Sequence, residues 1–149
     1  MPMPQISLTK LVIDDMVTKL KEQVGNTLAV EYYPEKPASY RLNHANGALL
    51  VNYARSNSPK HDDIQAIIRP REQVYTVTIV ARNLHDRYGA VPIVDWVLAM
   101  LSGHTPVNCT KPLYPVKDFF DSHEAGLWLY GVDFATELVL VQSLPVTDI

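Results

Sequence analysis

Cysteine is almost missing from this sequence, since Cys109 is the only one among 149 residues. A single cysteine cannot form a disulfide within the chain, so we expect a reducing compartment. The sequence also lacks a long hydrophobic run, and Met1 to Gln5 contain no basic segment followed by an apolar one. These absences predict neither a membrane span nor a signal peptide, and the expected location is the cytoplasm.

Positive charge is not in excess either. Thirteen basic residues stand against 16 acidic ones, which gives a formal charge of −3 and a pI near 5.9. Because phosphate contacts require an excess of lysine and arginine, general nucleic-acid binding is not expected. The composition is that of a globular protein, and neither a repeat nor a linker divides the chain. We therefore expect residues 1–149 to form a single domain.

Motifs that identify a reaction are absent as well. The sequence has no glycine-rich dinucleotide loop, no phosphate-binding Walker loop and no nucleophile elbow. No cofactor and no catalytic residue are therefore predicted.

The hydrophobic pattern predicts one amphipathic helix followed by several strands. Ser7 or Thr9 can cap a helix that runs to about Val24, and the period then changes to the alternation of strands. Strands are predicted at Leu28 to Tyr33, Ala48 to Arg55 and Gln73 to Arg82. Asn46-Gly47 is a strong turn signal, and Pro70 is expected to end the apolar segment before the third strand. Val116 to Asp121 is predicted as a short edge strand, and Leu127 to Val141 as a long strand or a bent pair whose edge could pair with another subunit. With a second helix before the last two strands, this order predicts an α+β fold. Its sheet is expected to be mixed or antiparallel, with helices packed on one face.

The second helix, from Pro92 to about Ser102, is the most apolar helical segment of the chain. Its apolar side chains cover an arc of about 200°, whereas a helix on one sheet needs a stripe of only about 100°. We therefore expect a further contact, from another helix or from another copy of the protein. Trp96 and Leu98 are candidates for that contact.

Arginines flank the clearest strand, and they are more typical of solvated strand ends than of a site. A subset of them could instead line an assembly interface or a pore. The four candidates are Arg69, Arg71, Arg82 and Arg87.

Three clusters leave an enzyme or a metal-binding protein open as an alternative. His61, Asp62 and Asp63 could bind a divalent metal, although adjacent residues rarely converge on one ion. The acidic residues from Asp118 to Glu124 could divide acid and base roles. Cys109 could act as a nucleophile with His104 or His123 as its base. A third alternative is an adaptor that binds another protein through the exposed helix face.

The order of segments from Gly47 onward resembles the Mu-like phage and prophage tail proteins that are related to tail terminators. The resemblance lies in apolar strands, a helix and aromatic positions, none of which is a catalytic signature. It is carried by Gly47 to Tyr53, the strand from Val74 to Arg82, Gly89-Ala90 before the apolar helix, and Trp128-x-Tyr130-x-x-x-Phe134.

The resemblance implies a structural role and no catalysis. It implies a small α+β subunit that assembles with itself as a ring, commonly a hexamer. Such a ring caps the tail tube and helps to join the tail to the head. The implied partners are the tail tube protein and the head-tail connector proteins, in the host cytoplasm and in the virion tail.

Overall fold

The computed structural model describes residues 6–57 and 68–141, with side chains for residues 6–57 and 71–138. These residues form two helices and five strands, and a short 3₁₀ helix lies between the first two strands. The elements are α1 (Leu8–Val24), β1 (Ala29–Tyr32), the 3₁₀ helix (Pro37–Ser39), β2 (Gly47–Asn57), β3 (Ile68–Ala81), α2 (Ala90–Leu101), β4 (Tyr114–Glu124) and β5 (Leu127–Val141).

The five strands form one mixed sheet in the order β1-β2-β3-β5-β4. β1 and β2 are parallel, and every other neighbouring pair is antiparallel. Both helices pack on the same core as the central strands. The predicted α+β fold, with a mixed sheet and helices on one face, is confirmed.

Local sequence explains where α1 begins and ends. The Ser7 side chain accepts a hydrogen bond from the Lys10 backbone N–H at 3.1 Å, which caps the first turn. Gly25 ends the helix with a φ of 55°. Five buried side chains at helical spacing face the sheet: Val12, Met16, Val17, Leu20 and Val24. The predicted helix boundaries are therefore confirmed at both ends.

The main core lies between the helices and one face of the sheet. Tyr75, Val77 and Ile79 are completely buried and alternate along β3, as a half-covered strand requires. A smaller cluster lies on the opposite face, where Ala48, Leu50 and Val80 are covered by Tyr40 and Leu42. The segment between β1 and β2 therefore crosses the face that the helices leave open.

Three sequence interpretations differ from the structure. Pro70 was expected to end an apolar segment, but β3 runs through it and pairs it with Val139. Among the described residues, the pairing of β3 with β2 ends at Glu72. Asn46-Gly47, a strong hairpin signal, closes no hairpin, because β1 and β2 are parallel and need a longer crossover.

The position of β5 is the third difference. Leu127 to Val141 forms one long strand and not a bent pair, and β5 lies between β3 and β4, paired on both sides from Trp128 to Ala135. The edge strands of the sheet are β1 and β4, and β4 is the one that the sequence predicted as a short edge strand. Within the described residues, no helix is long and apolar enough to cross a membrane.

Candidate assembly surface

The outer flank of α2 keeps apolar surface that the chain itself does not cover. Six of its twelve residues are buried, and α1 supplies part of the second contact that the sequence predicts. Val91 remains 39% exposed, and Trp96 and Leu98 pack against the core while staying half-buried. α1 therefore covers part of the apolar surface of α2 that the sheet leaves open, and the rest stays exposed.

The predicted arginines do not form one patch. Arg71 is half-buried and donates a hydrogen bond to the Tyr53 hydroxyl at 3.3 Å, near one end of β3. Arg82 follows the other end of β3, eleven residues later, which is about 36 Å along a strand. The side chain of Arg69 lies outside the described residues. Only a subset of the four arginines can therefore share one surface.

Arg82 and Arg87 lie in the segment between β3 and α2, and both are exposed. Arg82 donates hydrogen bonds to the backbone oxygens of Leu42 and His44, which connect it to the segment between β1 and β2. The Arg87 guanidinium lies 5.2 Å from the centre of the Tyr88 ring. A surface cleft of about 430 Å³ adjoins this cation and is lined by Thr27, Arg87, Tyr88, Pro92, Ile93 and Trp96. We call Arg87, Tyr88, Pro92 and Trp96 the α2 corner.

A second surface lies on the hairpin of β4 and β5. Phe120 is 54% exposed and contacts the rings of Tyr130 and Trp128, with centroids 5.6 and 6.4 Å away. The His123 ring stacks on Trp128 at 3.9 Å. Asp118 pairs with Val132, a residue of the helix-side core, so it lies on the same sheet face as Phe120. We call Asp118, Phe120, His123, Trp128 and Tyr130 the edge strip.

Sequence reasoning missed the edge strip, although Trp128 and Tyr130 belong to the pattern that carries the family resemblance. The missing information was the register of β4, which brings Phe120 opposite Tyr130 and His123 opposite Trp128. Nothing in the local sequence of β4 specifies this register.

The alternative catalytic sites gain no supporting geometry. His61, Asp62 and Asp63 lie outside the described residues. Asp118, Asp121 and Glu124 are exposed along the edge strand. In the parts of the chain that the structure describes, no group of three or more His, Cys, Asp or Glu side chains is placed to hold a metal ion.

Cys109 has the environment of a structural thiol. Its partial burial raises the pKa of the thiol, and a hydrogen bond with Thr136 only partly offsets this effect. His104 pairs with Asp15 at 2.5 Å, and His123 stacks on Trp128. Both histidines that the sequence offered as a base therefore have other partners.

Two half-buried carboxylates, Asp14 and Glu72, have lowered pKa values because neighbouring side chains donate hydrogen bonds to them. A hydrogen bond from Lys10, followed by one from Tyr32, lowers the pKa of Asp14. Hydrogen bonds from the Tyr114 hydroxyl and then from Asn57 lower the pKa of Glu72. Each pKa is lowered because hydrogen-bond donors favour the charged form of the carboxyl group. These carboxylates therefore connect neighbouring elements, and their pKa shifts do not indicate a role in proton transfer.

Comparisons with known proteins agree with this fold. A family model with the description "Gp37 protein" matches residues 16–149. A search of the curated proteins found no match. Among the solved structures, a chain of the "Virion of native gene transfer agent (GTA) particle" superposes with a TM-score of 0.58 and 11% identity. The alignment covers 91% of this chain and 100% of that chain, and at this identity it shows a shared fold alone.

Proposed function

The chain belongs to the Gp37 family, and from this premise we propose that it is a structural subunit of a phage-like particle. The observation that supports this most directly is the fold that it shares with a complete chain of a gene transfer agent virion. The exposed apolar flank of α2 and the edge strip also support a subunit whose surface is meant to be covered by neighbours.

The finer proposal is a tail terminator subunit. In this role, copies of the chain form a ring, expected to be a hexamer, that caps the tail tube and assists head-tail joining. The support is the segment order from Gly47 to Phe134, which resembles the tail proteins related to terminators. The subunit would act in the host cytoplasm and remain in the virion tail, and it would have no catalytic activity.

Size-exclusion chromatography with light scattering tests the ring. We expect a mass several times that of the 16.8 kDa chain, at least at high protein concentration, and binding to one end of isolated tail tubes. A protein that stays monomeric and does not associate with tubes would contradict the proposal. Elemental analysis of the same sample tests the metal alternative. If a metal were present and disappeared in His61→Ala/Asp63→Ala, the non-catalytic role would be in doubt.

A further inference from the structure

We propose that two copies of this chain join head to tail, with the edge strip of one copy against the α2 corner of the next. This inference rests on the proposed function, because a ring needs an interface between two different surfaces of the subunit. It goes beyond that function by naming the two surfaces and the charges that match them.

The edge strip contains Phe120, which at 54% is the most exposed Phe, Tyr or Trp side chain among the described residues. Phe120 is one of three large apolar side chains of β4 that remain more than 40% exposed, with Tyr114 and Val116. Its ring contacts those of Trp128 and Tyr130, which are half-buried. An exposed aromatic surface of this kind on a soluble protein is typical of an interface.

The backbone of β4 is poorly suited to pairing with another strand. Its register shifts twice, between Pro115 and Lys117 and again between Phe120 and Ser122. Bulges, proline and charged side chains are the features by which natural edge strands avoid adding a further strand. We therefore expect the partner to contact the side chains of the edge strip and not to extend the sheet.

The α2 corner offers a surface of complementary shape and chemistry. Its cleft combines the half-buried ring of Trp96 with Tyr88 and Pro92, and Arg87 lies at its border. An exposed aromatic side chain such as Phe120 fits a cleft of this lining, and an arginine beside it can pair with a carboxylate or lie over an aromatic ring.

Charge favours a second copy as the occupant. The edge strip carries one carboxylate, Asp118, and the α2 corner carries one guanidinium, Arg87. Glu124 lies on the opposite face of the sheet, and Arg82 is bonded to the segment between β1 and β2, so neither belongs to these surfaces. Two edge strips placed face to face would bring like charges together, and so would two α2 corners. Contact between one strip and one corner brings opposite charges together, which selects the head-to-tail arrangement.

Charge reversal tests this pairing. Asp118 and Arg87 are both exposed, so Asp118→Arg and Arg87→Glu should leave the fold intact, which circular dichroism can verify. We expect each single variant to weaken self-association by about tenfold or more, because like charges then meet at every interface. The double variant restores opposite charges at every interface, and it should recover association to within about threefold of the unaltered chain.

Two matched controls separate this contact from an effect of net charge. Glu35→Arg and Lys36→Glu make the same charge changes at exposed positions of the β1–β2 segment, and both should associate as the unaltered chain does. Sedimentation velocity at several concentrations gives the association constants.

The inference is overturned if either single variant has the association constant of the unaltered chain. It is also overturned if the double variant associates as weakly as the sum of the two single effects predicts. If the protein still forms a ring in those cases, the ring uses other surfaces, and the proposed function is not contradicted. It is also overturned if the reversals block only the binding of tail tubes, because the edge strip then contacts the tube protein. An unaltered chain that neither self-associates nor binds tubes contradicts both proposals.

Discussion

The turn between β4 and β5 holds an alanine in a left-handed backbone conformation. Ala125 has a φ of 52° and Gly126 a φ of 78°, and the flanking residues Glu124 and Leu127 are paired. Positive φ at both central residues of a two-residue hairpin is the type I′ geometry, for which Asn-Gly is preferred. Alanine at this position therefore stores strain that asparagine would relieve.

We predict that Ala125→Asn raises the free energy of unfolding by about 1 kcal/mol, since the left-handed conformation costs a residue with an ordinary Cβ about 1–2 kcal/mol. Ala125→Val should lower the free energy of unfolding, because a β-branched side chain fits this conformation worst. Urea unfolding of the three proteins measures both effects. Equal stability of all three would show that the turn does not hold this conformation.

The hydrogen bond from Tyr114 to Glu72 makes a second prediction at the scale of single residues. The Tyr114 hydroxyl donates to Glu72 at 2.7 Å and lowers the pKa of that carboxyl from its usual 4.5. A carboxyl with a lowered pKa in the folded state adds stability above its unfolded pKa. That stability is lost as the pH falls through the folded pKa.

Tyr114→Phe should therefore reduce the loss of stability on acidification from about pH 6 to about pH 3, because the variant has less of this contribution to lose. Urea unfolding at several pH values measures the slope. Tyr33→Phe removes a hydroxyl from another exposed tyrosine and should keep the original slope. The prediction fails if Tyr114→Phe and the unaltered chain lose stability in parallel.

At the scale of elements, one carboxylate connects α1 to the segment after α2. Asp15 accepts a hydrogen bond from the Val107 backbone N–H at 2.9 Å and pairs with His104 at 2.5 Å. The residues on the two sides of this contact are about 90 positions apart in sequence. The contact holds the chain beyond α2 against the helix layer, before that chain enters β4.

Asp15→Ala should lower the free energy of unfolding by about 1–3 kcal/mol, because it leaves two donors without their acceptor. Asp14→Ala is the neighbouring control. Asp14 contacts Lys10 and Tyr32 near the surface, and its loss should cost at most about 1 kcal/mol. Thermal unfolding ranks the two variants, and a larger effect of Asp14→Ala would contradict the assignment.

At the scale of the whole molecule, the described chain has one sheet and one main core shared by both helices. We predict that it unfolds as a single domain, because the helices have no core apart from the sheet. Helical circular dichroism and the fluorescence of Trp96 and Trp128 should then change at the same denaturant concentration. Separate midpoints at a fixed protein concentration would show two independent units.

Much of the fold follows from the order of residues alone. The start and end of α1 are set by Ser7 and Gly25, and the alternation along β3 specifies a strand with one face on the core. α2 was also predicted from periodicity, and the range of β5 was predicted as a long strand or a bent pair. These features depend on residues close together in sequence, whose conformations are restricted by caps, glycines and hydrophobic spacing.

The candidate assembly surface was predictable only in part. Sequence identified Trp96, Leu98 and the arginines as exposed candidates, and it expected an edge strand near Val116 to Asp121. It did not predict that Phe120 and His123 would join Trp128. That arrangement depends on the register between β4 and β5 and on two shifts within it.

By itself, the sequence determined the helices, the strands and the α+β class, because short-range sterics and hydrophobic period decide these. Only the tertiary structure decided that β1 and β2 are parallel, that β5 lies between β3 and β4, and that Asp15 meets His104. The physical reason is that strand order and register come from contacts between distant residues. Many pairings satisfy the same local pattern, and packing of the whole core selects one of them.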